Sequence, residues 1–185
     1  MTKSIISLIV VASLAGCASP AQVEGMVSRN IDAAKVSKNT QTRNSIFLSN
    51  VSGGSETNPL WASKVSDADF KAALEQSLKE ALLLSGSIEG SKYLLEVKLL
   101  KLEQPILGFD LKVVVTAEYI LKAKSSGKVV YSKNIVAPFT ATISDSAVGV
   151  KRLRIANEGA VRSNIEQFID DLLSINIDEH AVSVK

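Results

Sequence analysis

LKVVVTAEYILK, residues 111–122, alternates apolar side chains with lysine, threonine and glutamate. Such alternation is typical of a strand that buries one face and exposes the other to water. The buried face would carry Leu111, Val113, Val115, Ala117, Tyr119 and Leu121. The opposite face is expected to stay solvated, with Lys112, Thr116, Glu118 and Lys122.

The two apolar runs that flank this strand predict its neighbours in a sheet. Tyr93–Leu102 precedes it, and Val129–Val136 follows it after a turn at 125–128. Because the three runs are consecutive in the chain, we expect an antiparallel meander. In the first run the apolar phase slips at Leu99 and Leu100, which predicts a bulge or a strong twist.

Two helices are predicted outside the meander. The first begins after Ser66, which can cap it, continues with apolar residues at helical spacing, and has Gly86 as a stop. The second can be capped by Asp145 and Ser146, and its apolar spacing continues to about Leu173. Each helix has one apolar stripe that must be buried against another element.

One more short apolar strand, Ser45–Val51, comes before the first helix. The predicted order is therefore β-α-β-β-β-α, and the fold class is α+β. We expect a mostly antiparallel four-stranded sheet with two helices packed on one face. The domain would span residues 44–174 and be followed by a C-terminal tail at 175–185.

Composition narrows the classes of function. Of the 185 residues 46% are hydrophobic and 22% are charged, which is typical of a globular protein. The formal net charge is +2 and aromatic residues make up 5%, so neither a basic stripe nor stacking platforms for a nucleic acid are expected. With one Cys and one His, a cysteine-based zinc site cannot form and a hydrolytic triad lacks a well-placed base. We therefore expect no enzyme activity, no cofactor and no metal.

The N-terminus has the pattern of an export signal. Lys3 precedes an apolar run at 5–14, which is shorter than the roughly 20 residues needed to cross a bilayer as a helix. The run ends in Leu14-Ala15-Gly16-Cys17, which resembles the lipobox of bacterial lipoproteins. The resemblance implies removal of residues 1–16 and acylation of Cys17, which would hold the protein in a membrane. The alternative is an ordinary secretory signal with an incidental Cys.

The residues that follow suggest a destination and a linker. In the lipoprotein family, retention in the inner membrane usually goes with Asp after the lipidated Cys, whereas Ala18 stands here. The resemblance therefore implies the outer membrane, with the domain facing the periplasm and outer-membrane lipid as a partner of the acylated Cys. From the lipidated Cys17 to residue 43 the sequence shows no sustained periodicity, which predicts a flexible tether with at most a short helix around Ile31 to Val36. Such a tether would have a span of roughly 25–30 Å.

Three further stretches resemble recurrent features of small, poorly characterised proteobacterial lipoproteins. They are Asn58-Pro59-Leu60-Trp61, then Gln104-Pro105 with Gly108-Phe109-Asp110, and Arg152-Leu153-Arg154-Ile155-Ala156-Asn157-Glu158-Gly159-Ala160. The element order is similar to that of envelope accessory lipoproteins, a group that includes the lipopolysaccharide-translocon plug and lipid-transport auxiliary lipoproteins. The resemblance implies an accessory or assembly role with an envelope protein as partner. A lipid- or small-ligand-binding lipoprotein and a passive structural lipoprotein are the alternatives.

The candidate contact residues lie in the loop between the first two strands of the meander. Hairpin tips are normally polar, yet this loop carries Ile106, Leu107 and Phe109. Either the loop folds back beneath the sheet edge, or it offers an apolar patch to a partner or to lipid. We predict a contact at this loop, with Trp61 as a second, weaker candidate.

Two amides fall within the apolar face of the last predicted helix. Asn157 and Asn164 are seven residues apart, and a buried amide must find hydrogen-bond partners. We interpret both as structural polar pins to a loop or a strand edge. A ligand-binding pair is the alternative, because polar groups that converge on an apolar site also describe a pocket.

Two charged features have simple structural interpretations. Arg154, Glu158 and Arg162 are spaced for two i,i+4 salt bridges along the last helix, and a contact with anionic lipid is the alternative. His180 is isolated in the polar C-terminal tail, where we expect a solvent-exposed side chain.

Overall fold

The computed structural model describes residues 19–57 and 63–177, and within these ranges it has four helices and four strands. The helices and strands share one hydrophobic core. In chain order they are α1 (Val23–Met26), α2 (Ala33–Lys38), β1 (Ile46–Ser52), α3 (Asp67–Glu80), β2 (Tyr93–Glu103), β3 (Leu111–Ala123), β4 (Val129–Ala141) and α4 (Gly149–Ser174).

The four strands form one mixed sheet in the order β1-β2-β3-β4. The meander is confirmed, because β2 pairs with β3 and β3 with β4 in antiparallel fashion. The pairing of β1 with β2 is parallel. The connection between the two strands contains α3, which returns the chain to the end of the sheet where β1 began, so that β2 runs in the same direction. The sheet is thus antiparallel at two of its three pairings.

The strand register shows one predicted irregularity and one longer strand. The pairing of β2 with β3 shifts between Leu99 and Lys101, at the position where the sequence predicts a bulge or a strong twist. The last strand continues to Ala141 rather than ending at Val136. It contains Pro138, which lacks a donor for a second neighbour but is tolerated because β4 is an edge strand.

The two long helices cover the same face of the sheet, as predicted. The buried side chains of β3 are its alternate residues, beginning with Leu111, and α4 packs against β3 and β4 while α3 packs against β1. Phe168 of α4 stacks on the ring of Tyr119 in β3 with 4.1 Å between centroids. The opposite face of the sheet has no helix against it in the described part of the chain.

The start of α3 is confirmed and its predicted stop is wrong. Ser66 caps the helix, its hydroxyl accepting a hydrogen bond from the amide of Asp69. The helix ends at Glu80, and the chain turns at Leu82, whose φ is +55°. The amide of Leu83 then returns to the carbonyl of Leu78, so the turn is complete before Gly86 is reached.

The predicted cap of α4 is also wrong. The helix begins at Gly149, and its cap residue Val148 makes no capping hydrogen bond through its side chain. The carboxylate of Asp145 instead accepts hydrogen bonds from the amide and the hydroxyl of Thr142. This closes a separate turn after β4, which delays the start of the helix.

The prediction of a flexible tether at 17–43 is wrong for residues 19–43, because this segment packs against the domain. Ala21, Met26 and Val27 are buried in the core, and α1 lies against α3 and α4. The segment that follows α4 is also tied down, since the amide of Ile177 donates to the side chain of Gln41. The folded unit therefore begins earlier than residue 44 and continues past residue 174.

Candidate functional site

The loop between β2 and β3 exposes three large apolar side chains. Ile106 is 96% exposed, Leu107 88% and Phe109 81%. These three residues are called the apolar tip from here on. Of the two alternatives, the loop does not fold back beneath the sheet edge, and an exposed apolar patch describes it.

The base of the apolar tip is fixed by polar contacts. The side-chain amide of Gln104 donates to the carbonyl of Ser63 at 2.6 Å and to Oδ1 of Asn157 at 2.8 Å. Its oxygen accepts a 2.9 Å bond from Nζ of Lys64. At the other side of the loop Leu111 is buried in the core. The loop is thus held at both ends while its apolar side chains point away from the core.

More apolar surface lies at the same end of the sheet. The pairing of Leu111 with Ala141 places the end of β4 beside the start of β3. The loop that leaves β4 carries Ile143 and Val148, which are 50% and 58% exposed. Single exposed apolar residues are ordinary in proteins, but a cluster at one end of a domain marks a contact surface.

An open cleft of about 300 Å³ separates the apolar tip from the start of α4. Ile106 and Leu107 line one side, and Val150 and Leu153 line the other. Arg152, at its edge, is buried and donates a 2.6 Å hydrogen bond to the carbonyl of Ser146. The cation is therefore already engaged by the β4–α4 loop, and the cleft presents mainly apolar walls.

Asn157 is fully buried and joins α4 to two other segments. Its amide nitrogen donates to the carbonyl of Ser63 at 2.9 Å, and its oxygen accepts the bond from Gln104. Asn157 therefore links α4 to Ser63 and to Gln104 at the base of the apolar tip. The contacts are those of a structural pin that positions the loop.

Asn164 is fully buried one heptad further along α4. Its amide nitrogen donates to the carbonyl of Ile135 at 2.8 Å, and its oxygen accepts a 2.7 Å bond from the hydroxyl of Tyr119. Its partners lie in β3 and β4, whereas those of Asn157 lie in loops. The two amides therefore do not converge on one ligand.

The charged flank of α4 holds the N-terminal segment. The carboxylate of Glu158 accepts a 2.8 Å bond from the amide of Gln22 and lies 3.4 Å from Nε of Arg154. Arg162 donates to the carbonyl of Gly25 at 2.5 Å. The predicted Arg154–Glu158 pair is thus present, while Arg162 binds backbone rather than Glu158.

Burial governs the ionisation of Glu158. Desolvation raises the pKa of its carboxyl above the ordinary value of 4.5, and the Gln22 amide, Arg154 and Arg162 partly oppose that rise. The sequence predicts i,i+4 salt bridges for this carboxylate and no contact with α1. The carboxylate is instead covered by α1, a contact between segments far apart in the chain that local spacing could not reveal.

Several predicted residues lie outside the described ranges. These are Cys17, Trp61 with the rest of the 58–61 stretch, and His180. Within residues 19–57 and 63–177, no group of three or more His, Cys, Asp or Glu is arranged to hold a metal ion. None of the helices described there is long and apolar enough to cross a membrane.

Comparison with known proteins reveals similarity of fold to solved structures but no similarity of sequence to a characterised family. No family model and no curated protein matches the sequence. Among solved structures, a Xanthomonas campestris protein of the family DUF330 superposes with a TM-score of 0.53 at 11% identity, over 73% of this chain and 88% of that one. A hypothetical protein from Chlamydia trachomatis gives 0.51 at 8% identity, over 72% and 99%.

A minor lipoprotein from Acinetobacter baumannii is less similar. Its TM-score is 0.47 at 10% identity, over 71% of this chain and 92% of that one. At identities this low, structural likeness concerns architecture and not activity. The fold is thus shared with the Xanthomonas campestris and Chlamydia trachomatis proteins, whose TM-scores are 0.53 and 0.51.

Proposed function

We propose that this chain is a lipid-anchored, non-catalytic module of the outer membrane whose domain faces the periplasm. Its role would be that of an accessory or assembly factor in envelope biogenesis or in lipid or lipopolysaccharide transport. The observation that carries the proposal is the apolar tip, three large side chains held on a fixed hairpin and exposed to solvent. A surface of this kind is made for contact with another molecule.

The anchor is inferred from the lipobox-like sequence that ends in Cys17. Two or three acyl chains on one residue hold a protein at a membrane almost irreversibly, since each buried methylene contributes ~0.8 kcal/mol. A protein anchored in this way meets its partners at the membrane. The exposed tip is suited to such encounters because its side chains need no rearrangement before contact.

The non-catalytic role is supported by the small number of Cys and His side chains in the sequence. The one Cys is assigned to the anchor, and the one His lies at position 180, near the C-terminus. General acid–base catalysis needs groups that converge on a reacting atom. The polar side chains at the base of the tip, the half-buried Gln104 and the buried Asn157, are instead bonded to each other, to Lys64 and to backbone.

The anchor is tested by replacing Cys17 with Ser in cells fed a labelled fatty acid. The wild-type protein should carry the label and sediment with the outer membrane, while C17S should carry none. Persistent labelling of C17S would exclude acylation at this residue. A wild-type protein without label would leave an ordinary secretory signal as the explanation of residues 1–17.

The contact is tested by photo-crosslinking in the intact envelope. A crosslinking amino acid at Leu107 should capture an envelope component, whether protein or lipid. The matched control is position 126 in the β3–β4 turn, which is also exposed but lies at the opposite end of β3. Equal yields at the two positions, or none at position 107, would contradict a contact at the tip.

A second candidate is a lipoprotein that binds a lipid or a small ligand. The observation in its favour is the cleft between the tip and α4, whose volume of about 300 Å³ is at the small end of the range for ligand sites. Native mass spectrometry of the purified protein distinguishes the two. A retained ligand lost on Leu153→Arg would support this candidate, and a passive structural lipoprotein would show neither ligand nor crosslink.

A further inference from the structure

We propose that the apolar tip inserts into the surface of the same bilayer that holds Cys17, so that the occupant of this patch is lipid. The inference rests on the proposed function, because it requires Cys17 to be acylated. It assigns the contact left open above to a lipid surface rather than a protein, and it fixes the orientation of the domain.

The first step is the position at which the chain leaves the domain. Ser19 accepts a 3.1 Å hydrogen bond from Arg154 of α4, and the amide of Ala21 donates to the carbonyl of Lys64 at 3.2 Å. Cys17 precedes Ser19 by two residues, and two residues of extended chain span at most about 7 Å. The acyl chains must therefore start close to this part of the domain rather than at the end of a long tether.

The second step is that this point and the tip share one end of the domain. Lys64, which receives the bond from Ala21, donates through Nζ to Gln104 at the base of the tip. Leu153, the neighbour of Arg154 in sequence, lines the cleft together with Ile106. Two separate sets of contacts thus connect the exit of the chain to the tip.

The third step is the distance to the other end. Strand β3 has 13 residues and runs from the tip to the β3–β4 turn, a length of about 40 Å at the usual rise per residue. Because the anchor lies beside the tip, the tip must face the membrane and the turn at 124–128 must point away from it. Transfer of an apolar surface from water to the bilayer in this way lowers its free energy.

The chemistry of the tip favours lipid over protein. Its three side chains are apolar and highly exposed. A standard protein interface uses roughly 20–30 residues on each side and matches shape closely. A bilayer surface demands neither, and apolar side chains of this type are those that enter the headgroup boundary.

The test uses the full lipidated protein reconstituted in phosphatidylcholine vesicles. Acylation consumes the thiol of Cys17, so a second Cys can be labelled selectively with an environment-sensitive fluorophore. Leu107→Cys reports on the tip, and Ser126→Cys, in the distal turn, is the matched control. Quenching by lipids that carry a spin label near the headgroup should be several-fold stronger at position 107 than at position 126.

Two further measurements complete the test. Adding Ile106→Ser and Phe109→Ser to the labelled Leu107→Cys protein should remove most of the quenching, while raising the salt concentration should leave it unchanged because the contact is apolar. Equal quenching at positions 107 and 126 in protein that floats with the vesicles overturns the inference and leaves the anchor intact. Protein that fails to float without detergent overturns the proposed function instead.

A protein partner at the tip is the competing outcome. The crosslinking residue at position 107 should give lipid adducts in the intact envelope. A protein adduct without any lipid adduct, seen together with unquenched label at position 107 in vesicles, would assign the tip to a protein and overturn the proposed membrane contact.

Discussion

The hydroxyl of Tyr119 donates a 2.7 Å hydrogen bond to Oδ1 of Asn164, and neither side chain has any exposed surface. Burial raises the pKa of Tyr119 far above its ordinary value, so the phenol keeps the proton that it donates. The nitrogen of the same amide bonds the carbonyl of Ile135. One buried side chain thereby fixes α4 to two strands and sets the position at which the helix crosses the sheet.

We expect Tyr119→Phe to lower the free energy of unfolding by about 1–3 kcal/mol, because the oxygen of Asn164 would stay buried without its donor. Asn164→Ala should cost more, since the Ile135 carbonyl loses its donor as well. Urea denaturation of the single and double variants measures both. The double variant should cost less than the sum of the singles, and strict additivity would show that the pair is not coupled.

Much of the sheet could be predicted because its signals are local. The alternation at 111–122 predicts β3, which the structure contains. The slip of the apolar phase at Leu99 likewise lies where the register of β2 with β3 shifts. The end of β4 could not be predicted, because Pro138 interrupts a strand unless that strand lies at an edge, which is a property of the whole sheet. The parallel pairing of β1 likewise depends on the path of α3 across the sheet.

The sequence predicts the apolar composition of the candidate site but not the exposure of its side chains. An apolar hairpin loop is visible locally, but whether it folds back depends on Gln104 and its contacts with Ser63 and Asn157. The docked N-terminal segment was missed for a related reason. Its apolar residues show no sustained periodicity, and its polar contact with Glu158 joins it to a distant helix, which local spacing does not reveal.

The fit between α1 and α4 predicts that Gly25→Ala destabilises the docked segment. A Cβ at this position would overlap Oε2 of Glu158, and the other oxygen of that carboxylate, Oε1, is held by the amide of Gln22 and by Arg154. We expect a loss of about 1–3 kcal/mol in unfolding free energy. Hydrogen exchange should show faster exchange at residues 19–28.

Gly86→Ala is the matched control for this change. No atom lies within 4 Å of a Cβ built at Gly86, and the substitution should leave stability almost unchanged. If Gly25→Ala were equally harmless, the contact between α1 and Glu158 would have to yield easily, and the docked segment would be less firmly held than its hydrogen bonds indicate.

The raised pKa of Glu158 predicts a pH dependence of stability. Burial favours the protonated acid in the folded chain, so the resulting penalty is absent below the unfolded-state pKa near 4.5 and develops as the pH rises through the folded-state pKa. Between about pH 7 and pH 5 the wild type should therefore gain stability relative to Glu158→Gln, whose amide does not titrate. Urea denaturation of both proteins at the two pH values checks the sign. A wild type that instead loses stability relative to Glu158→Gln on acidification would mean that Arg154 and Arg162 outweigh the burial.

The apolar tip should contribute to contact and not to stability. Because Leu107 and Phe109 are exposed, replacing both with Ser should change the free energy of unfolding by less than about 1 kcal/mol. Leu111→Ala, at the buried foot of the same loop, should cost about 2–5 kcal/mol and serves as the comparison. Thermal or urea denaturation measures both variants.

The same double variant should lose its crosslinks in the envelope, because the side chains that enter the contact are gone while the fold is kept. Unchanged stability together with unchanged crosslinking from position 106 would show that the side chains of Leu107 and Phe109 do not carry the contact, with Trp61 as the next residue to replace. A loss of several kcal/mol would instead show that Leu107 and Phe109 pack against the domain in solution. In that case the cleft beside α4 would be closed by the tip, and the partner would have to bind another surface.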